Sequence, residues 1–103
     1  MYTINQIRDE LREIRYYMSR KEVFDKSAVC VGKNAIEQKI ALYNSVICEA
    51  TPRLYDLYVS LYLHTYTQES LSEKLGYSIE YVSRLNTQLI KYFQQKLNAE
   101  QTE

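Results

Sequence analysis

Only three positions in 103 residues carry glycine or proline, Gly32, Gly76 and Pro52. Sheets and loop-rich folds need many tight turns, and those turns draw on glycine and proline for the dihedral angles other residues resist. So sparse a supply predicts a mostly helical chain. The three positions also say where the helices stop. The length admits one domain with a single packed core, spanning residues 1–103. Within it, residues 1–50 are expected to form a helical scaffold or dimerisation part, residues 51–97 a second helical unit, and residues 98–103 a frayed polar tail.

Thirteen basic residues balance thirteen acidic ones, which argues against binding nucleic acid through bulk charge. Residues 1–50 hold eight Lys/Arg against seven Asp/Glu, and residues 51–103 hold five against six. Any nucleic-acid contact must therefore be local. Eleven tyrosines and two phenylalanines supply the aromatics, and tyrosine suits half-buried sites with one polar edge. Cys30 and Cys48 with a single histidine make neither a zinc set nor a disulfide framework; they read as small apolar fillers. The N-terminus is charged and lacks an apolar signal core, and no apolar run approaches membrane-spanning length. A cytoplasmic protein with no membrane partner, metal or cofactor is expected.

Thr3 followed by Gln6 reads as the cap of a first helix. Ile4, Ile7, Leu11, Ile14 and Met18 then make an a/d seam that needs a partner, either within the chain or in a twin. Arg8, Arg12 and Arg15 form a stripe beside it, open to two readings: ion pairing or solvation, and phosphate contact. Residues 21–33 lose the period and read as a connection in which Val23 and Phe24 reach the core. Asn34 reads as the cap of a second helix carrying Ile36, Ile40, Tyr43 and Ile47 on one face and ending near Ala50, since Pro52 disfavours helix just before itself. Thr51–Pro52 restarts a helix whose apolar residues cover more than half its circumference. Lone His64, near its end, has no catalytic partner at a recognisable spacing.

The segment "ESLSEKLGYSIEYVSRL" has the outline of a helix-turn-helix. Leu71 and Leu75 with small Ser72 between them, Gly76 at the turn, and Ile79, Val82 and Leu85 beyond it are the expected buried set. Thr67 caps the first helix and Ser78 the second, which is expected to run over 78–97.

Read from Thr51 to Phe93, the chain resembles region 4 of bacterial sigma factors and related response-regulator output domains. The matching features are a proline-started helix, a short helix ending in Leu-Gly, and a Ser-capped last helix. With its helical first half and the stretch "GKNAIEQKI", it resembles small phage-encoded late-transcription regulators of the autolysin-regulator and integrase-activator groups. The resemblance implies an all-α fold of about five helices, with a trihelical sigma-region-4-like unit preceded by two N-terminal helices. It also implies sequence-specific DNA binding or contact with RNA polymerase. The expectation drawn from it is a DNA-binding transcription regulator that inserts its last helix into the major groove of double-stranded DNA, as a homodimer because a dimer doubles the few cationic contacts.

The implied reading face is Glu80, Ser83, Arg84, Thr87, Gln88 and Lys91, flanked by Ser78 and Tyr81. Arginine can grip guanine through two hydrogen bonds and glutamine can do so for adenine, while glutamate accepts from cytosine and hydroxyls reach base edges or phosphates. Lys74, Lys91 and Lys96 could add backbone contacts. Glu80 and Arg84, four apart, can alternatively pair with each other. The face carries fewer cations than is usual in this family, so the rival expectation is a module that docks on RNA polymerase or another phage protein. No nucleophile–base pair or phosphate loop points to an enzyme.

Overall fold

In the computed structural model, which describes residues 1–21 and 33–101, the chain is all-helical. The described residues form α1 (Ile4–Ser19), α2 (Lys33–Ile47), α3 (Pro52–Tyr58), α4 (Gln68–Leu75) and α5 (Ile79–Gln101), with α3 continuing into a π-helical turn, Val59–Leu63. The connection expected over 21–33, with Val23, Phe24, Cys30 and Gly32, lies outside the described residues apart from its ends. No helix among the described residues is long and apolar enough to cross a membrane.

Three threonines begin three helices. Thr3, Thr51 and Thr67 sit in extended conformation and accept, through their hydroxyls, from the amides of Gln6, Leu54 and Ser70. Each satisfies a first-turn donor that no helical carbonyl can reach. α2 already begins at Lys33, one residue ahead of the expected cap Asn34.

α5 is the axis of the fold, and α1, α2, α3 and α4 all pack against it. Its inward stripe, Val82, Leu85, Leu89, Phe93 and Leu97, is buried along with Ile90. The α1 seam is buried within the same chain: Ile7, Leu11 and Ile14 are fully covered, with Ile4 and Met18 packed at its margins. α1 meets the π turn, α5 and α2, so this seam pairs intramolecularly. The apolar surround of α3 has the same cause, since α3 and its π turn are held between α5 on one side and α1 and α2 on others. Cys48 is exposed rather than a core filler, its thiol donating to Asn44 O.

Buried phenols fasten these helices together. Tyr43 lies between α1 and α5, its ring 4.7 Å from Phe93 and its hydroxyl donating to Glu10 Oε2 at 3.2 Å. Tyr58 joins α3 to α2 through Asn44 Oδ1 at 2.7 Å, and Tyr92 joins α5 to α2 through Val46 O at 2.8 Å. Tyr62 in the π turn donates to Asn86 Oδ1 on α5. Every such hydroxyl would cost free energy if it were buried unpaired. Phe93 touches the rings of Tyr43, Tyr58 and Tyr92, in tilted and edge-on geometries that aromatic quadrupoles favour.

The end of α3 was not foreseen in the sequence. Leu57/Tyr58 and Leu61/Tyr62 repeat every four residues, more than the ~3.6 of an α-helix, and all four are buried. Widening the turn into a π-helix, with His64 N–H reaching Val59 O, keeps the second pair facing inward. Thr65 then takes a left-handed φ of 60°, costly for a β-branched residue. Arg15 of α1 holds this exit: Nε donates to Leu61 O at 3.1 Å, and Nη2 donates to Thr65 O at 3.0 Å and Tyr66 O at 3.3 Å.

α5 also outruns its expected end, staying helical to Gln101. Asn98, assigned to a frayed tail, accepts from Tyr2 N–H at 2.7 Å and donates to Tyr2 O at 3.1 Å. Asn98 is thereby tied to the backbone groups ahead of α1.

Two predictions follow from this packing. Arg15→Ala is expected to lower unfolding free energy by about 2 kcal/mol, as loss of charged hydrogen bonds does, measured by urea denaturation; an unchanged midpoint would contradict the cap. Burial raises the pKa of Tyr43, Tyr58 and Tyr62, and the Glu13 carboxylate raises that of Lys39. These groups hold their protons more tightly folded than unfolded, so their stabilisation is intact below pH ~10 and is lost as pH rises beyond it. Melting temperature should be level from neutral pH upward and then fall together with the appearance of tyrosinate absorbance.

Candidate nucleic-acid interface

α4 and α5 form a tight hairpin. Gly76 adopts φ 73° and ψ 20°, the left-handed conformation that closes a helix, and its N–H bonds Ser72 O. Tyr77 N–H bonds the same carbonyl at 3.2 Å, and Ser72 Oγ donates to Tyr77 O at 2.6 Å. Ser72 thus contributes a hydroxyl to the turn as well as its small volume. Ser78 Oγ accepts from Tyr81 N–H at 3.1 Å, the expected cap of the second helix, which begins at Ile79 rather than at Ser78 itself.

Of the expected buried set, Leu71, Val82 and Leu85 are in the core. Leu75 and Ile79 are not: they are 54% and 48% exposed. Both lie at the tip of the hairpin, where the chain reverses, and among the described residues no third element covers them.

The turn fixes which face of α5 looks outward. Glu80, Ser83, Arg84, Thr87, Gln88 and Lys91 are all exposed, as is Ser78. At 100° per residue Glu80, Arg84, Thr87 and Lys91 lie along the middle of the outward strip, with Ser83 on one edge and Gln88 on the other. Among the described residues Glu80 and Arg84 form no ion pair, which leaves both heads open to solvent. Thr87 Oγ1 donates to Ser83 O at 3.2 Å. Tyr81 is the exception: half-buried, its ring meets Tyr77 edge-on and its hydroxyl accepts from Arg53 at 2.6 Å. It braces α5 against α3.

The other expected cations divide. Lys96 lies toward the far end of α5 from the turn, 3.8 Å from Glu49, and Lys74 rests over the Tyr66 ring at 4.2 Å. Neither joins the outward strip.

The Ser83 edge of that strip forms one wall of an open cleft of about 470 Å³, and the opposite wall is the arginine stripe of α1. Arg8, Arg12 and Arg15 line it with Tyr62, Tyr66, Thr67, Gln68, Ser83, Asn86 and Thr87. Arg12 is also 3.7 Å from Asp9, an exposed contact of little energetic weight. Burial raises the Tyr62 pKa, and the Asn86 bond and then the charges of Arg15, Arg12 and Arg8 oppose that rise. Asn86, which falls on the apolar period of α5 beside Val82 and Leu89, is the acceptor that ties Tyr62 into this wall. The stripe was legible from its spacing, but the cleft was not, because it depends on α1 packing beside α5.

The Gln88 edge borders a second, larger groove of about 1010 Å³ between α3 and the hairpin, lined by Pro52, Tyr55, Leu71, Leu75, Tyr77 and Tyr81 among others. Its residues are mostly apolar or aromatic, and His64 lies at its margin. No group of His, Cys, Asp and Glu among the described residues could hold a metal ion.

No protein family, curated protein or solved structure matches this chain.

Gly76→Ala tests the turn. An added Cβ would meet nothing within 4 Å, so only the left-handed backbone is penalised. The expected loss is about 1 kcal/mol, and less for Gly76→Asn, in thermal or urea unfolding. Equal stability of the alanine variant would show that the turn does not need this conformation.

Proposed function

We propose that the protein is a DNA-binding transcription regulator that reads the major groove of duplex DNA with the outward face of α5. One observation carries the reading: a helix entered through a glycine turn presents Glu80, Ser83, Arg84, Thr87, Gln88 and Lys91 to solvent, with its apolar side anchored in the core. An α-helix presented this way fits the width of the major groove, and these side-chain types can read base edges. The resemblance to sigma region 4 and to small phage late-transcription regulators points the same way, and a phage or mobile-element origin goes with it.

Two cations against one anion on the strip is weak charge for a monomer, whose non-specific affinity would lie near ~10⁻⁴ M at physiological salt. A homodimer would double the contacts. Its interface is not the α1 seam, which is buried within the chain.

A second reading rests on the apolar groove. Leu75 and Tyr55, 54% and 44% exposed, flank it together with Tyr77, and clustered apolar surface marks interaction sites. In that reading the protein docks on RNA polymerase or another phage protein and has little DNA affinity of its own.

Retention of genomic duplex fragments at low and physiological salt separates the two. The DNA reading expects a subset of fragments to be retained, with Arg84→Ala losing ~1–3 kcal/mol and relaxing preference at one base position. No retention at either salt, with RNA polymerase recovered by the wild type and lost with Leu75→Asp, would establish the docking reading instead.

A further inference from the structure

We propose that the cleft between α1 and α5 seats the phosphodiester backbone of one strand of the duplex, gripped by Arg8 and Arg12. This rests on the DNA reading of α5 and adds to it a specific second contact surface. The outward strip lacks cations, and the cleft beside it supplies them: three arginines line it, and none of its lining residues is a carboxylate.

The three arginines have different duties. Arg15 is spread across the carbonyls of Leu61, Thr65 and Tyr66, so its charge is fixed at the floor while its donors are occupied. Arg8 and Arg12 are exposed. Among the described residues Arg12 has an ion contact with solvent-exposed Asp9 alone, its side chain is 77% accessible, and an exposed pair of this kind yields readily to a phosphate.

The facing wall suits the same ligand. Ser83 and Thr87 bring hydroxyls from the reading helix, and Thr67 and Gln68 bring the start of α4. Hydroxyls, guanidinium groups and helix starts are the usual partners of phosphate oxygens. The cleft is open to solvent rather than a closed cavity, so a continuous backbone can enter it. Because its wall is the edge of α5, a strand lying in it would border the groove that α5 enters. The α1 helix, which looks like scaffold, thereby becomes half of the binding surface.

The test uses the full chain and the labelled duplex fragments that the wild type retains, with affinity measured across a salt series. Arg8→Ala/Arg12→Ala should weaken binding on every fragment alike and reduce the slope of log affinity against log salt by about two. Arg8→Lys/Arg12→Lys should restore most of that slope. Single Arg8→Gln and Arg12→Gln variants, each expected to lose about one unit of slope, stand in if the alanine pair melts early. Wild-type slope in these variants while the wild type binds DNA would overturn the phosphate seat and leave the α5 reading standing. Loss confined to one fragment sequence would also overturn it, since that marks a base contact. Absence of duplex binding by the wild type at low salt would remove both.

Discussion

A phenol can enter a protein core only if its hydroxyl finds a partner there, and that condition sets the arrangement of this fold. Tyr43, Tyr58 and Tyr62 bring their rings into one core with half-buried Tyr92 at its margin, and each hydroxyl is met by a group on a different helix. Apolar side chains alone would allow the helices to slide or rotate by a few degrees at small cost. A phenol–amide or phenol–carboxylate bond does not, because rotation would strand a buried polar group. Phe93, in contact with three of these rings, is where α5 is held by them.

The consequence is directional. With α5 fixed about its own axis by Tyr62–Asn86 on one side and Tyr81–Arg53 on the other, the strip of Glu80, Arg84, Thr87 and Lys91 has one way to face. The Gly76 turn and the Ser78 cap fix where that strip begins. Arg15 ties α1 to the exit of α3, and through it the start of α4. The same residue therefore stabilises the backbone at Thr65 and sets Arg8 and Arg12 opposite the edge of α5. Stability and electrostatics are here properties of one arrangement: a formally neutral chain concentrates positive charge in one cleft.

Much of this was legible in the sequence wherever a residue's role depends on its near neighbours. Thr3, Thr51, Thr67 and Ser78 act as caps, Gly76 turns left-handed, and Ile7, Leu11 and Ile14 bury one face of α1. What escaped depends on distant partners. Leu75 and Ile79 sit on a nominal core period, but their burial needed an element over the hairpin tip, and none of the described residues supplies one. Asn86 shares the period of Val82 and Leu89, yet its use as an acceptor depends on a tyrosine of the π turn. The π turn itself follows from a four-residue repeat that is meaningful only once Leu57, Tyr58, Leu61 and Tyr62 are known to be buried together. Asn98 was placed in a polar tail because its partner, the backbone of Tyr2, is at the other end of the chain. For the candidate site the outward strip could be marked residue by residue, whereas its relation to the arginine stripe could not.

The outward face of α5 and the arginine edge of α1 are proposed to form one continuous surface for duplex DNA. Amide and arginine side-chain NMR shifts of the full chain, followed during titration with a short duplex, would map that surface. Perturbations are expected to fall together on Ser83, Arg84, Thr87, Lys91, Arg8 and Arg12 and to spare Tyr55 and Leu75. Perturbations confined to the groove of Tyr55, Leu75 and Tyr77, or none on either helix, would contradict it.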